Sequence, residues 1–143
     1  MTVPRRQRVA VYVEGEGGLL VFDHRDHPEA GTQIPAGGVR DGETLVDAAR
    51  REVHEETGVW TLAEPVALGT HEHVDGLGRP ATTHYFRIEA PPDHPASWEH
   101  LVEGDGDDAG LVFRCRFDLA PALSHEQAIF RPLGRGRAAA VRG

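Results

Sequence analysis

Residues 44–58, TLVDAARREVHEETG, leave the chain little choice of conformation. Thr44 with Asp47 three residues on is a variant of the capping box that starts helices. Gly58 stands where a helix closing through a left-handed residue places its glycine. No proline or glycine interrupts the run between them, so a helix is predicted over Thr44–Thr57. At about 100° per residue, Glu52 and Glu56 project within about 20° of Leu45. Ala48, Ala49 and Val53 lie on or near that side. One face is therefore apolar in its first half and acidic in its second, and the apolar half needs a sheet to pack on.

The acidic half is the anomaly. Glu55 and Glu56 follow Glu52 at i+3 and i+4, where like charges repel by about 0.2–0.5 kcal/mol per pair. All three crowd the last turns, where the helix dipole disfavours an anion by roughly 0.3–1 kcal/mol. A solvated acidic stripe would lie opposite Leu45. Penalties gathered on a packing face call for a compensating cation, and oxygen donors of this kind suit Mg²⁺ or Mn²⁺. The competing reading is a surface helix whose glutamates pair with Arg50 and Arg51. For an isolated E-x-x-E-E that reading is the stronger one, and the flanking residues decide.

The rest of the chain reads as strands. Arg8–Val13 and Leu19–Asp23 flank EGEGG, a hairpin turn. Thr32–Ile34 is a short strand candidate before the glycines. Val66–Val74 and Thr82–Glu89 are strands with DGLGRP turning between them. Pro91–Gly110 is polar, proline-rich and acidic at its end, and reads as a long loop. In Leu111–Leu119, Phe113, Cys115, Phe117 and Leu119 alternate with Arg114, Arg116 and Asp118, giving a strand with one apolar face. A second helix is expected around Ala120–Ile129, and residues 134–143 read as a flexible tail. Strands mixed with two helices predict a mixed sheet covered by helices. The 143 residues fit one domain, 1–143, with enough chain for a core.

Residues 37–59 resemble the Nudix box, the signature of the MutT-type hydrolases. Gly37, Glu43, Arg51, Glu52, Val53, Glu55, Glu56, Gly58 and Val59 match its pattern in residue type and spacing without departure. The resemblance implies an α/β (α+β) fold, an α/β/α sandwich built on a mixed sheet. It implies Glu52, Glu55 and Glu56 as ligands of Mg²⁺ or Mn²⁺, with the backbone carbonyl of Ala36 as a further ligand. Gly37 and Gly38 would let the loop backbone approach metal and phosphates. Arg51 would orient a glutamate, and helix spacing points it to Asp47 and Glu55. Glu43 would brace the loop–helix junction. The implied activity is cleavage of a nucleoside diphosphate linked to another group. A diphosphate is anionic, so an acidic site needs divalent metal to hold it, and a nearby carboxylate takes the proton from water. Glu52 and Glu56 are candidates for that base.

Loop acids are further candidates. By resemblance, some family members supply a ligand or base from a loop beyond the box. Glu103, Asp105 and Asp107 are the residues expected to approach the metal site with substrate bound, Glu103 first for its reach. The same EGDGDD stretch is not an EF-hand, because Asp108 stands where the turn glycine belongs and Arg114 where the bidentate glutamate belongs. The nine histidines show no metalloprotease spacing. His71 and His73 share a strand face but do not read as zinc ligands. Trp98, Tyr12, Phe22 and Tyr85 can stack on a base, yet core packing is the simpler role.

The net charge of −8 argues against a broad nucleic-acid surface, leaving a small nucleotide-type substrate or an RNA 5′ end. All basic residues among the 15 Lys+Arg are arginine, which suits phosphate but also reflects composition. Cys115 is the single cysteine, expected as a packed thiol. Arg5, Arg6 and Arg8 precede an apolar run too short for a signal peptide, and no stretch spans a membrane, so a cytoplasmic location is expected. A homodimer is left open. Two other readings compete: a Nudix-fold module that senses a nucleotide without hydrolysis, and an acidic scaffold. The complete box favours an enzyme over the first, and the second does not explain the spacing.

Overall fold

A computed structural model of the protein describes residues 4–131. The predicted tail at 134–143 lies outside the described residues. The chain runs β1 (Arg6–Gly15), β2 (Gly18–His24), a 3-10 turn (Pro28–Ala30), β3 (Ala36–Gly38), α1 (Leu45–Thr57), β4 (Val66–Val74), β5 (Pro80–Glu89), β6 (Ser97–Leu101) and β7 (Val112–Asp118). The sheet has seven strands in the order β4-β5-β1-β2-β7-β6, with β3 paired to β1 off that path. β1 and β5 run parallel and the other pairs antiparallel, so the sheet is mixed as the sequence predicts. Among the described residues no helix is long and apolar enough to cross a membrane.

β1 shows why the sheet sits in the middle. Val9 through Val13 are all buried, which a strand achieves only when both faces are covered. Val9, Val11 and Val13 join Leu20, Phe22, Phe113 and Cys115 beneath Ala48, Ala49 and Val53 of α1. Ala10 and Tyr12 face the other way, with Leu19, Val21, Ile34 and Tyr85. That second face is covered by residues 123–130, but not by the helix expected over Ala120–Ile129. A run of turns stands there instead. Tyr12 Oη donates to the Gln127 carbonyl at 2.5 Å and Tyr85 Oη to that of Glu126 at 2.8 Å, so carbonyls a helix would use internally are spent on the sheet. Tyr12, Phe22 and Tyr85 are thus core residues.

Three other expectations change. The strand placed at Thr32–Ile34 shrinks to a single bridge between Phe22 and Gln33, and the ladder with β1 resumes at Ala36–Gly38. Pro35 has no N–H to give, though its carbonyl accepts from Val11 at 2.9 Å. Residues 33–38 thereby thread between β1 and β2 where these part. Second, Pro91–Gly110 is not structureless: Ser97–Leu101 forms the edge strand β6 against β7. Its inward residues are Trp98 and His100, not aliphatics, which hides the alternation. Trp98 Nε1 donates to the Thr57 carbonyl at 2.7 Å and caps the end of α1. Third, Leu119 lies past the end of β7 and is 66% exposed.

Candidate active site

α1 begins and ends as its caps dictate. Thr44 is extended, with φ −75° and ψ 160°, and its hydroxyl accepts the Asp47 N–H at 3.1 Å. Gly58 is left-handed, with φ 80°. The apolar half of the helix buries Ala48, Ala49 and Val53, and this drives the acidic half down onto β3 and the end of β1. Glu52 and Glu56 are consequently only 8% and 6% exposed.

Arg51 organises the cluster. Its guanidinium donates to both oxygens of Glu43, at 2.7 and 2.9 Å, to Glu52 at 2.9 Å, to Glu55 at 3.1 Å and to the Gly38 carbonyl at 2.8 Å. Asp47, expected as a partner from helix spacing, is not one. Glu43 displaces it because the loop folds back: a Glu43 oxygen accepts the Arg40 N–H at 3.0 Å, and the Glu43 N–H donates to the Arg40 carbonyl at 3.0 Å. Glu43 thus ties the glycine loop to the helix from behind the cavity. The guanidinium bond holds the Glu43 carboxyl below its usual range, and Glu43 in turn raises Arg51.

The other two carboxyls are pushed the opposite way. Burial lifts Glu52 to about 7, against the pull of Arg51. Glu56 is raised well above its ordinary value, first by burial and then by the charge of Glu52. Its carboxyl accepts the Ala36 N–H at 2.9 Å. Asp108 of the acidic loop adds to the repulsion on Glu56. Burial also pushes the Cys115 thiol up to about 12, in keeping with a packed residue.

These side chains face a cavity of about 470 Å³. Ala36, Gly37, Gly38, Arg51, Glu52, Glu55, Glu56, Glu103, Asp105 and Asp107 all line it. Glu43 and Gly58 do not: the first stands behind Arg51, and the second shapes the helix end against His100. Glu103, the first choice among loop acids, is turned toward His100 at 3.7 Å. Arg6, Arg8, Arg40 and Asp108, which spacing within the helix does not point to, line the same cavity. The signal for the arginines is charge at the start of β1 and inside the glycine loop, but their convergence depends on the β1–β3 register. His71 and His73 stack in parallel 5.2 Å apart, far along β4 from these residues in sequence, and line none of this cavity.

Among the described residues no three His, Cys, Asp or Glu side chains close into a ready metal cage. The cause is visible in the hydrogen bonds, since Arg51 holds Glu52, Arg51 and Arg40 hold Glu55, and the Ala36 N–H holds Glu56. The chemistry of the donors still fits a hard divalent cation. Two carboxylates are buried side by side, each raised by desolvation that a cation would relieve. A Cβ on Gly37 would collide with the Glu52 carboxyl, so the loop backbone is pressed against the donors.

A NUDIX domain model matches residues 4–127. The chain is 46% identical over 67 residues to an RNA pyrophosphohydrolase of Roseobacter denitrificans, covering 46% of this chain and 42% of that protein. It is 39% identical over 77 residues to an RNA pyrophosphohydrolase of Caulobacter vibrioides, covering 54% of this chain and 37% of that one. The chain thus spans less than half the length of these relatives. A MutT NUDIX hydrolase from Burkholderia pseudomallei shares the fold, with a TM-score of 0.63 and 22% identity over 88% of this chain and 95% of that one. A UDP-X diphosphatase does so with a TM-score of 0.65 and 14% identity, over 100% of this chain and 67% of that one. The family model covers most of the residues, the box among them, and the chain belongs to the Nudix family.

Proposed function

We propose that the chain is a divalent-metal-dependent hydrolase of a phosphoanhydride bond in a nucleoside diphosphate linked to another moiety. The observation that carries this is the burial of Glu52 against Gly37 and of Glu56 against the Ala36 N–H, two carboxyls whose ionised forms burial disfavours and a bound cation would favour. Glu52, Glu55, Glu56 and the Ala36 carbonyl are the proposed ligands of Mg²⁺ or Mn²⁺. Bound there, the cation would neutralise phosphate oxygens and lower the pKa of water.

The protein's own residues do the rest. Arg51, fixed by Glu43, holds Glu52 and Glu55 at set positions. Gly37 and Gly38 bring backbone within reach of the phosphates, and Arg6 and Arg8 add positive charge to the same wall. A water oxygen forms the new bond to phosphorus, the bridging P–O bond breaks, and a carboxylate accepts the water proton. Glu52, Glu56 and a loop acid are the candidates for that base. Glu103, Asp105 and Asp107 remain in that role, joined by Asp108, whose charge acts on Glu56.

The names of the relatives support an RNA 5′ end as one substrate beside small nucleotides. The net charge of −8 limits any RNA contact to that end. The test is a panel of nucleotide sugars, dinucleoside polyphosphates, oxidised nucleoside triphosphates and 5′-triphosphorylated RNA, assayed with Mg²⁺ for released mononucleotide, phosphate and pyrophosphate. Turnover of any member supports the proposal and names the substrate class. Tight binding without turnover across the panel replaces it with a nucleotide-sensing module.

A further inference from the structure

Both oxygens of Glu55 are already in use. Oε1 accepts from Arg51 at 3.1 Å, and Oε2 accepts from Nη2 of Arg40 at 3.2 Å. The same Nη2 also donates to Asp105 of the acidic loop at 2.9 Å. The two arginines differ in how firmly they are held. Arg51 is locked by Glu43 and by the Gly38 carbonyl, and its side chain is 16% exposed. Arg40 is 48% exposed, with a flexible stem. The loop that carries Asp105 rides directly on Glu55. The Glu103 N–H donates to the Glu55 carbonyl at 3.0 Å, and a Cβ on Gly104 would come within 2.6 Å of the Glu55 carboxyl.

We propose that Arg40 is a tethered competitor of the divalent cation, holding Glu55 until a cation takes that carboxylate and then falling back on Asp105 alone. The inference rests on the reading of Glu55 as a metal ligand. The same oxygen cannot serve a guanidinium and a small, strongly coordinating cation at full strength. Of the two arginines Arg40 is the one free to leave, and Asp105 is a second acceptor already within its reach. Arg40 is therefore a positioning residue: it acts through Glu55. Its release joins metal loading to a guanidinium freed from Glu55 in the wall of the cavity, where it would be within reach of a phosphate.

Mn²⁺ binding by titration calorimetry, without nucleotide, tests this on wild type, Arg40→Gln and Arg6→Gln. Arg6 lines the same cavity and carries the same charge, but its guanidinium is spent on Asp75 at 3.1 Å. Exposed ion pairs of this kind correspond to about a 1.5- to 5-fold change in affinity. Arg40→Gln is expected to tighten Mn²⁺ by that factor and Arg6→Gln to change it far less. In wild type, the guanidinium NMR signals that Arg40→Gln removes should shift with Mg²⁺ at the midpoint of metal binding. The proposal is overturned if Arg40→Gln leaves affinity unchanged, if Arg6→Gln matches it, or if the Arg40 signals ignore Mg²⁺. Failure of the wild type itself to bind Mn²⁺ would overturn both this proposal and the ligand assignment beneath it.

Discussion

Gly37 faces the carboxyl of Glu52 with no room for even a methyl group between them. The contact joins the middle of β3 to the acidic half of α1, so the loop sets how far the carboxylate can rise into the cavity. Gly37→Ala should displace Glu52 rather than unfold the protein. A stability loss of about 1–3 kcal/mol by urea denaturation is expected from overpacking. The loss in kcat should be far larger than that figure alone implies. Full activity in a folded Gly37→Ala variant would mean that the position of Glu52 does not matter.

Glu56 is the most deeply buried carboxyl of the cluster and accepts the Ala36 N–H. Glu56→Gln retains the acceptor and removes the buried charge. In chelator at pH 8, its Tm should equal or exceed that of wild type. Excess Mg²⁺ should raise the wild-type Tm by mass action and leave the variant nearly unmoved. A variant that unfolds in chelator would make Glu56 a structural residue instead.

Arg51 gives five hydrogen bonds in a fork that lysine cannot copy. Arg51→Lys keeps the charge and should still cost about 1–3 kcal/mol, because Glu43 loses its paired donor. The loss should persist at 0.5–1 M salt, roughly beyond the range where exposed pairs survive screening. Equal stability in urea would show that charge alone suffices.

Asp75 supplies a pH test away from the site. Its carboxylate accepts the N–H groups of Leu77 and Arg79 and faces the guanidinium groups of Arg6 and Arg79. The backbone bond from Arg79 leads in holding its folded pKa well below the ordinary 3.8. A lowered folded pKa means the stabilisation is complete above the unfolded value and is lost as pH falls through the folded one. The Tm advantage of wild type over Asp75→Asn should be constant from pH 7 to about pH 5 and shrink below about pH 4. A difference that stays flat down to pH 2.5 would contradict this account of Asp75 (roughly the window that linkage allows).

The sequence made some of this legible and hid the rest for physical reasons. α1 could be read to within one residue because its caps are local, with Thr44 as the N-cap rather than a helical residue and Gly58 closing the end as expected. β1 and β2 were legible from dense apolar runs. β6 was not, because its inward positions carry Trp98 and His100, whose polar ends bond to carbonyls of α1. Composition predicts a helix over Ala120–Ile129 but says nothing of Tyr12 and Tyr85, which claim the backbone carbonyls of Gln127 and Glu126 from across the sheet. At the site, spacing within the helix brought Glu52, Glu55 and Glu56 together. Partners supplied by a neighbouring loop were invisible to it. Arg51 therefore found Glu43 rather than Asp47, and Arg40 and Asp108 appeared only in three dimensions.

On the proposed function, the carboxylates at the end of α1 hold a divalent cation for phosphoanhydride hydrolysis. The most direct measurement is turnover of the best panel substrate against free Mg²⁺, for wild type and Glu56→Gln at equal protein concentration. The expected result is no wild-type turnover in chelator, full recovery with added Mg²⁺, and a kcat for Glu56→Gln lower by about a hundredfold or more at saturating metal. Wild-type turnover that persists in chelator, or a Glu56→Gln variant as active as wild type, would contradict the claim.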